Sequence, residues 1–331
     1  METKQILVDD SISLEHRAMI FGIMSKVPLF AGQDIERIEV LGGGLTNSNY
    51  KVTLGGVPYA VRVYGEGTSE YIDRKAEKYN AQLMSDIGVN ARIFYFDEDS
   101  GSAVCEFLDH SKTFHADDFR DHESLRQAAR ILQKVHRSGQ RFINRFDPCQ
   151  VTDQYARILH KKDFPLYEEF PPLDAKKNQI QRALEKSTRP LVPSHNDTLA
   201  ENFLLNEAGL FLIDWEYSGM NDPMYDLGDF ATENELSVEE EMVFLREYFG
   251  GEVSPEQYGE LVINKFLVDL FWATWSLLQI ANGKEREYYW DYGMTRINRC
   301  LRYMGMEDFD RYIEGIASAA DGQKLSGGAI G

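Results

Sequence analysis

Three polar residues in a set order constrain this chain more than any other feature. Asp197 and Asn202 lie in Ser194-His195-Asn196-Asp197-Thr198-Leu199-Ala200-Glu201-Asn202, and Asp214 follows in Ile213-Asp214-Trp215-Glu216. Two apolar stretches of β type, Phe203-Leu204-Leu205 and Leu210-Phe211-Leu212-Ile213, separate them and read as part of a hairpin over 192–214. Phosphoryl transfer asks for these groups. One carboxylate takes or orients a hydroxyl proton, while an amide oxygen and a second carboxylate hold Mg²⁺ against nucleotide phosphates. A capped turn would satisfy the Asp/Asn spacing equally well; the second acidic motif beyond the apolar strands favours chemistry.

Patterning elsewhere divides the chain into a β-rich part and a helical part. Strands are expected at 38–41, 49–54, 59–64, 91–96 and 102–107, with Gly55-Gly56 as a hairpin turn. Ile72, Ala76, Tyr79, Leu83 and Ile87 recur at spacings of three and four, predicting a helix over 70–87. Residues 1–36 read as partly helical. Helices are expected at 125–137, as one or two within 151–187 separated by Pro165 and Pro171-Pro172, and again from 214 to the end. The stretch 261–280 is apolar but broken by Asn264, Lys265 and Asp269, which suits a buried helix better than a membrane span.

The balance of 35 Lys+Arg against 54 Asp+Glu gives a net charge of −19, which argues against nucleic-acid and anionic-membrane partners. With 331 residues and 43% apolar content, two lobes are the natural expectation. Cys105, Cys149 and Cys300 are scattered, with neither zinc-site nor disulfide spacing. Together with an N-terminus lacking a basic, apolar leader, they suggest a soluble protein of the reducing cytoplasm.

The run Leu212-Ile213-Asp214-Trp215-Glu216-Tyr217-Ser218-Gly219-Met220-Asn221-Asp222-Pro223, continuing to Asp226-Leu227, resembles the choline/ethanolamine kinase signature. It is especially similar to bacterial choline kinases that prime phosphocholine for surface polysaccharides. The resemblance covers residues 40–301 and implies an α+β, two-lobed protein-kinase-like fold, shared with the aminoglycoside phosphotransferases. A small antiparallel β-rich nucleotide-binding lobe with a helical N-terminal extension would occupy residues 1–108. A larger, mainly helical lobe at 109–331 would carry catalysis and substrate.

Site residues follow by combining residue chemistry with that resemblance. Arg62 lies in an otherwise apolar strand and needs a partner, for which Glu77 on the 70–87 helix is the candidate. In the related kinases such a pair orients the nucleotide phosphates. The loop Gly42-Gly43-Gly44-Leu45-Thr46-Asn47 is by itself an ordinary turn. The resemblance makes Gly43, Gly44, Thr46 and Asn47 a nucleotide cover. Backbone groups near Glu106 and Leu108 would meet adenine, with no preference between the two. Asp197 is the candidate proton acceptor, Asn202 and Asp214 are candidate Mg²⁺ ligands, and Glu216 either reaches a second ion or supports the loop.

Trp272 and Trp275 share one face of a predicted helix, a pattern usual in a hydrophobic core. The resemblance turns them, with Tyr289 and Tyr292, into an aromatic cage for a quaternary ammonium, with Asp226 and Glu233 as acidic partners. His195 and the Asn221-Asp222-Pro223 turn read as structural, and His136 as a satisfied interior histidine. The implied reaction is ATP + choline → phosphocholine + ADP, with Mg²⁺. Ethanolamine, thiamine or an aminoglycoside are the alternative acceptors, and a ligand-binding pseudoenzyme is the non-catalytic alternative.

Overall fold

The computed structural model describes residues 6–42, 47–65, 70–186 and 190–316. The chain packs into two compact units that interleave in sequence. The first takes Met1–His115, Phe142–Asn144 and Ala200–Gly219, and the second takes Ala116–Arg141, Arg145–Leu199 and Met220–Gly331.

The first unit is built on a six-stranded sheet. Its strands are β1 (Leu7–Val8), β2 (Ile35–Leu41), β3 (Ser48–Leu54), β4 (Val57–Val63), β5 (Ile93–Phe96) and β6 (Ala103–Glu106), in the order β1-β2-β3-β4-β6-β5. Only β1 runs parallel to its neighbour; the remaining pairs are antiparallel. The β3–β4 turn is made by Gly55 and Gly56, whose φ of 58° and 77° suits the left-handed turn that a right-twisted hairpin prefers. Alternation sends Tyr50, Val52, Leu54, Val61 and Val63 inward. Helix α1 (Leu14–Ser25) adds Ile20, Ile23 and Met24 to that core, and β1 extends the sheet edge. The N-terminal residues therefore complete the core of this unit.

Helix α2 (Arg74–Asp86) begins at Asp73, whose Oδ1 accepts from the Lys75 and Ala76 N–H groups at 3.1 and 3.0 Å. That cap starts the helix four residues later than periodicity predicts. The short strand β7 (Lys112–Thr113) joins β9 (Phe203–Asn206) and β10 (Gly209–Leu212) in a separate three-stranded sheet. Asn80 is one of the ties between distant segments here. Its amide donates to Asn144 Oδ1 (2.8 Å) and to the Ser218 carbonyl (3.2 Å), and its Oδ1 accepts from Ile143 N–H (3.3 Å).

The second unit is helical: α3 (His122–His136), α4 (Pro148–Lys161), α5 (Phe170–Leu184), α6 (Pro223–Glu233), α7 (Val238–Phe249), α8 (Pro255–Ala281) and α9 (Arg286–Met304). Strands β8 (Val192–Ser194) and β11 (Gly219–Asn221) pair beside them. Two separate helices, α4 and α5, fill the 151–187 stretch, and Pro171 and Pro172 sit in the first turn of α5, where their missing N–H groups cost nothing. Helix α8 packs against α4, α6 and α9. By length and composition α8 could cross a membrane, but 94% of its most apolar window is buried inside the protein, which makes it the core helix. Gly228 lets α6 approach it closely: a Cβ there would lie 2.8 Å from Asn264 Cβ. Cys105, Cys149 and Cys300 are free thiols.

Candidate active site

In the first unit the charged residues form one connected network. Arg62, on the central strand β4, donates from Nη2 to Glu77 Oε1 (2.5 Å) and from Nε to the Gly101 carbonyl (2.9 Å). Glu77 projects from the buried face of α2, and its other oxygen accepts from Arg74 Nη1 at 2.6 Å. Arg74 Nη1 also reaches Glu216 Oε2 at 3.1 Å, and Arg62 Nη1 lies 3.5 Å from Asp214 Oδ1. Two guanidiniums thus interleave with three carboxylates. The Arg62–Glu77 pair that the apolar strand demanded is present. Arg74 was not singled out in the sequence, although its i,i+3 spacing to Glu77 was visible.

Asp214 follows β10 with φ 65°, a left-handed conformation that a non-glycine residue adopts only under constraint. The N–H of neighbouring Ile213 donates to the Asn202 carbonyl at 3.0 Å, so the β9–β10 hairpin brings Asn202 and Asp214 together. Burial raises the Asp214 pKa against the pull of Arg62, with Glu77 adding to the rise. Burial, then Asp214 and Glu77, push Glu216 up to about 7, opposed by Arg74 and Arg62. Glu216 Oε2 also accepts from Asn47 Nδ2 at 3.2 Å, and Asn47 Oδ1 accepts from Gly65 N–H. Gly43, Gly44 and Thr46 lie outside the described residues.

Adjacent carboxylates pushed toward protonation are a site that a divalent cation would relieve. Asp214 Oδ1 is buried and accepts no hydrogen bond, so it has a lone pair to offer. Among the described residues no group of three or more His, Cys, Asp or Glu forms a complete metal cage. Mg²⁺ is commonly held by one or two carboxylates together with substrate phosphates, and Asp214 with the Asn202 amide nearby supplies donors of that kind. The residues present therefore fit the ion. Of the two adenine-contact candidates, Glu106 uses its N–H on the Arg92 carbonyl (2.7 Å), and the Leu108 carbonyl accepts from Ser111 Oγ (2.6 Å).

In the second unit Asp197 sits on a loop suspended from α6. Asp226 accepts from His195 N–H at 2.8 Å and from Asn196 N–H at 2.7 Å, while Asp229 accepts from Thr198 N–H at 2.5 Å and Thr198 Oγ1 at 2.9 Å. Asn196 has φ 67°, and its Oδ1 is fixed by Asn221 Nδ2 at 2.9 Å. Asp197, between these anchored neighbours, is held on both sides. Asp222 caps α6 through Met224 N–H at 2.9 Å with Pro223 in the first turn, so Asn221-Asp222-Pro223 is the structural turn expected.

This geometry corrects the expectation for Asp226. It is fully buried, and its oxygens serve two loop N–H groups and His136 Nε2 (2.9 Å), so it braces the loop and does not meet a substrate cation. His136 Nδ1 faces Tyr248 Oη at 2.7 Å, the satisfied interior histidine anticipated. Asp229 was missed. Asp222, Asp226, Asp229 and Glu233 recur at spacings of four, three and four, which puts four acids on one face of an apolar helix. That periodicity was the available signal. Burial and Glu233 push the Asp229 pKa up to about 8, opposed by the Thr198 and Trp272 hydrogen bonds.

The four aromatic candidates converge. Trp275 is the hub, with ring centroids 5.5 Å from Trp272, 5.7 Å from Tyr289 and 6.1 Å from Tyr292, all edge-to-face. Trp272 Nε1 donates to Asp229 Oδ1 at 3.1 Å. Glu233 is engaged by Arg296, with Oε1 2.7 Å from Nη1 and Oε2 2.8 Å from Nη2. Arg296 and its partner Asp269 also escaped the sequence reading, because their contacts join α6, α8 and α9.

Comparison with known proteins agrees with this architecture. A family model described as choline/ethanolamine kinase matches residues 38–248, more than half of the chain. A choline/ethanolamine kinase family protein from Mesorhizobium loti superposes with a TM-score of 0.79 at 30% identity, covering 91% of this chain and 99% of that one. The choline kinase LicA of Streptococcus pneumoniae superposes with a TM-score of 0.72 at 29% identity, over 92% and 100% of the two chains. Protein LicA of Haemophilus influenzae is 28% identical over 271 residues, 79% of this chain and 78% of the relative. With its α+β kinase-like fold, its Arg62–Glu77 pair and its Asp197 loop, the chain belongs to the choline/ethanolamine kinase family, ATP-dependent phosphotransferases with an alcohol acceptor.

Proposed function

We propose that this protein phosphorylates choline, transferring the γ-phosphoryl group of ATP to the hydroxyl and releasing phosphocholine and ADP. The observation that carries the reading is Asp229, which accepts from Thr198 beside Asp197 and from Trp272 of the aromatic cluster. One buried carboxylate thereby fixes the spacing between the candidate proton acceptor and the indoles. A small cation bearing a hydroxyl a few bonds away matches that arrangement. Aromatic faces suit an N-trimethyl head, which is cationic yet has no N–H to satisfy. The name of the Streptococcus pneumoniae structure, a choline kinase, points the same way.

In this reading Asp197 orients the hydroxyl and accepts its proton. Arg62, set by Glu77, directs its guanidinium at the nucleotide phosphates. Asn202 and Asp214 would hold Mg²⁺, with Glu216 behind them. When bound, that ion would neutralise charge on the phosphoryl oxygens. Positioning and electrostatics then account for catalysis without a covalent enzyme intermediate. The test is ADP release with ATP, Mg²⁺ and a panel of choline, ethanolamine, thiamine and an aminoglycoside, the product being identified by phosphorus NMR. Choline as the best acceptor supports the reading; a better turnover with any other removes it.

A further inference from the structure

Arg296 is buried, at 4% exposure, among the residues assigned above to the acceptor. Its Nη2 donates to Glu233 Oε2 at 2.8 Å and to Tyr292 Oη at 2.6 Å, while Nη1 lies 2.7 Å from Glu233 Oε1 in an ion pair without a hydrogen bond. Its Cζ lies 4.2 Å from the centroid of the Tyr292 ring, so the protein's own cation already occupies one face of that ring. A second layer holds Arg296 in place. Asp269, fully buried on α8, accepts from Arg296 Nη1 at 3.2 Å and takes Arg299 Nε at 3.0 and 2.9 Å. Glu233 and Asp269 supply two negative charges, and Arg296 and Arg299 two positive ones. The quartet carries no net charge.

Amino alcohols differ in how they meet such a site. A primary ammonium brings N–H donors that lose water on entry and must find acceptors, or the transfer is costly. A quaternary ammonium has no donors and asks only for apolar and aromatic contact. We propose that Arg296 determines acceptor specificity: by pairing its charge with Glu233, hydrogen-bonding Glu233 Oε2 and occupying the Tyr292 hydroxyl, it neutralises the carboxylate that a primary ammonium needs and so selects quaternary amines. This rests on the amino-alcohol reading above. Arg296 acts through Glu233 and Tyr292 and is therefore a positioning residue.

The experiment compares kcat/KM for choline and for ethanolamine in wild type, Arg296→Met, Arg296→Lys and the double variant Arg296→Met/Glu233→Gln. The ratio of the two values is independent of the folded fraction, so it separates specificity from stability. Freeing the Glu233 carboxylate offers ethanolamine a charge-assisted hydrogen bond that choline cannot make. Arg296→Met should therefore lower the choline/ethanolamine ratio by on the order of tenfold. Arg296→Lys keeps the charge and the fold but cannot bridge all three partners, so the ratio should fall in the same direction by less. The double variant should return the ratio toward wild type, because the released carboxylate is gone. A ratio unchanged in both single variants overturns the proposal, as does a shift that survives in the double variant. Wild type that phosphorylates neither acceptor removes the functional reading and this inference together, whereas turnover with an unmoved ratio removes this inference alone.

Discussion

Asp229 and Trp272 are joined by a hydrogen bond of 3.1 Å from the indole N–H to a buried carboxylate whose other oxygen holds the Thr198 backbone. The bond makes an aromatic side chain on α8 part of the support of the loop that carries Asp197. Trp272→Phe should separate its two roles, since it keeps an aromatic face and loses the N–H. We expect kcat to fall more than the choline KM rises. Steady-state kinetics check this: an unchanged kcat would show that the bond does not position the loop.

Asp197→Asn should lose at least ~10²-fold in kcat, the scale for a positioned proton acceptor. ATP affinity, followed by equilibrium binding, should stay close to wild type. Near-normal turnover in this variant would take the proton away from Asp197.

Glu77 serves Arg62 with one oxygen and Arg74 with the other. Arg62→Ala and Glu77→Ala should therefore be non-additive on kcat/KM for ATP, because either change breaks the same unit. Glu77→Ala should also cost about 3–5 kcal/mol of stability, as it leaves buried guanidiniums without their shared partner. Chemical denaturation and a double-mutant cycle measure the two effects, and additive kinetic losses would dissolve the unit.

The pH dependence of metal binding follows from Glu216, pushed up to about 7 chiefly by burial and by Asp214. A carboxyl with a raised folded pKa adds stability that is full at low pH and is lost as pH rises through about 7. A divalent cation must displace that proton, so its binding strengthens in the same window. Mg²⁺ should raise Tm more at pH 8 than at pH 6, and Glu216→Gln should flatten the difference. Equal Mg²⁺ shifts at both pH values in wild type would contradict the assignment.

The aromatic cluster predicts a preference for choline over ethanolamine. Three buried N-methyl groups contribute about 0.8 kcal/mol each, roughly 50-fold together. Trp275→Ala, which removes the hub ring, should erase most of it. A Trp275→Ala enzyme that keeps the preference would return these rings to the hydrophobic core.

What the sequence by itself determined is local: strand alternation at 49–54 and 59–64, the glycine pair between those strands, the β9–β10 hairpin, and a buried α8 marked by its broken apolar run. Each depends on residues within one or two turns of each other, where periodicity and turn chemistry act. The Arg62–Glu77 pair was legible too, because a cation in an apolar strand requires a carboxylate and α2 supplied one nearby. The partners of the remaining charges were decided by tertiary structure. Asp226 reads identically in sequence as a substrate-facing acid or as a brace, and only the arrival of His195 and Asn196 N–H groups and His136 selects the brace. Glu233 likewise gains its meaning from Arg296, 63 residues away. Ala200–Gly219 is tied to Met1–His115 in part by Asn80, Asn144 and Ser218, three polar residues unremarkable in sequence. Burial makes an unpaired polar group costly wherever it lies in the chain, so the pairing that satisfies it is set by which helices and hairpins pack together.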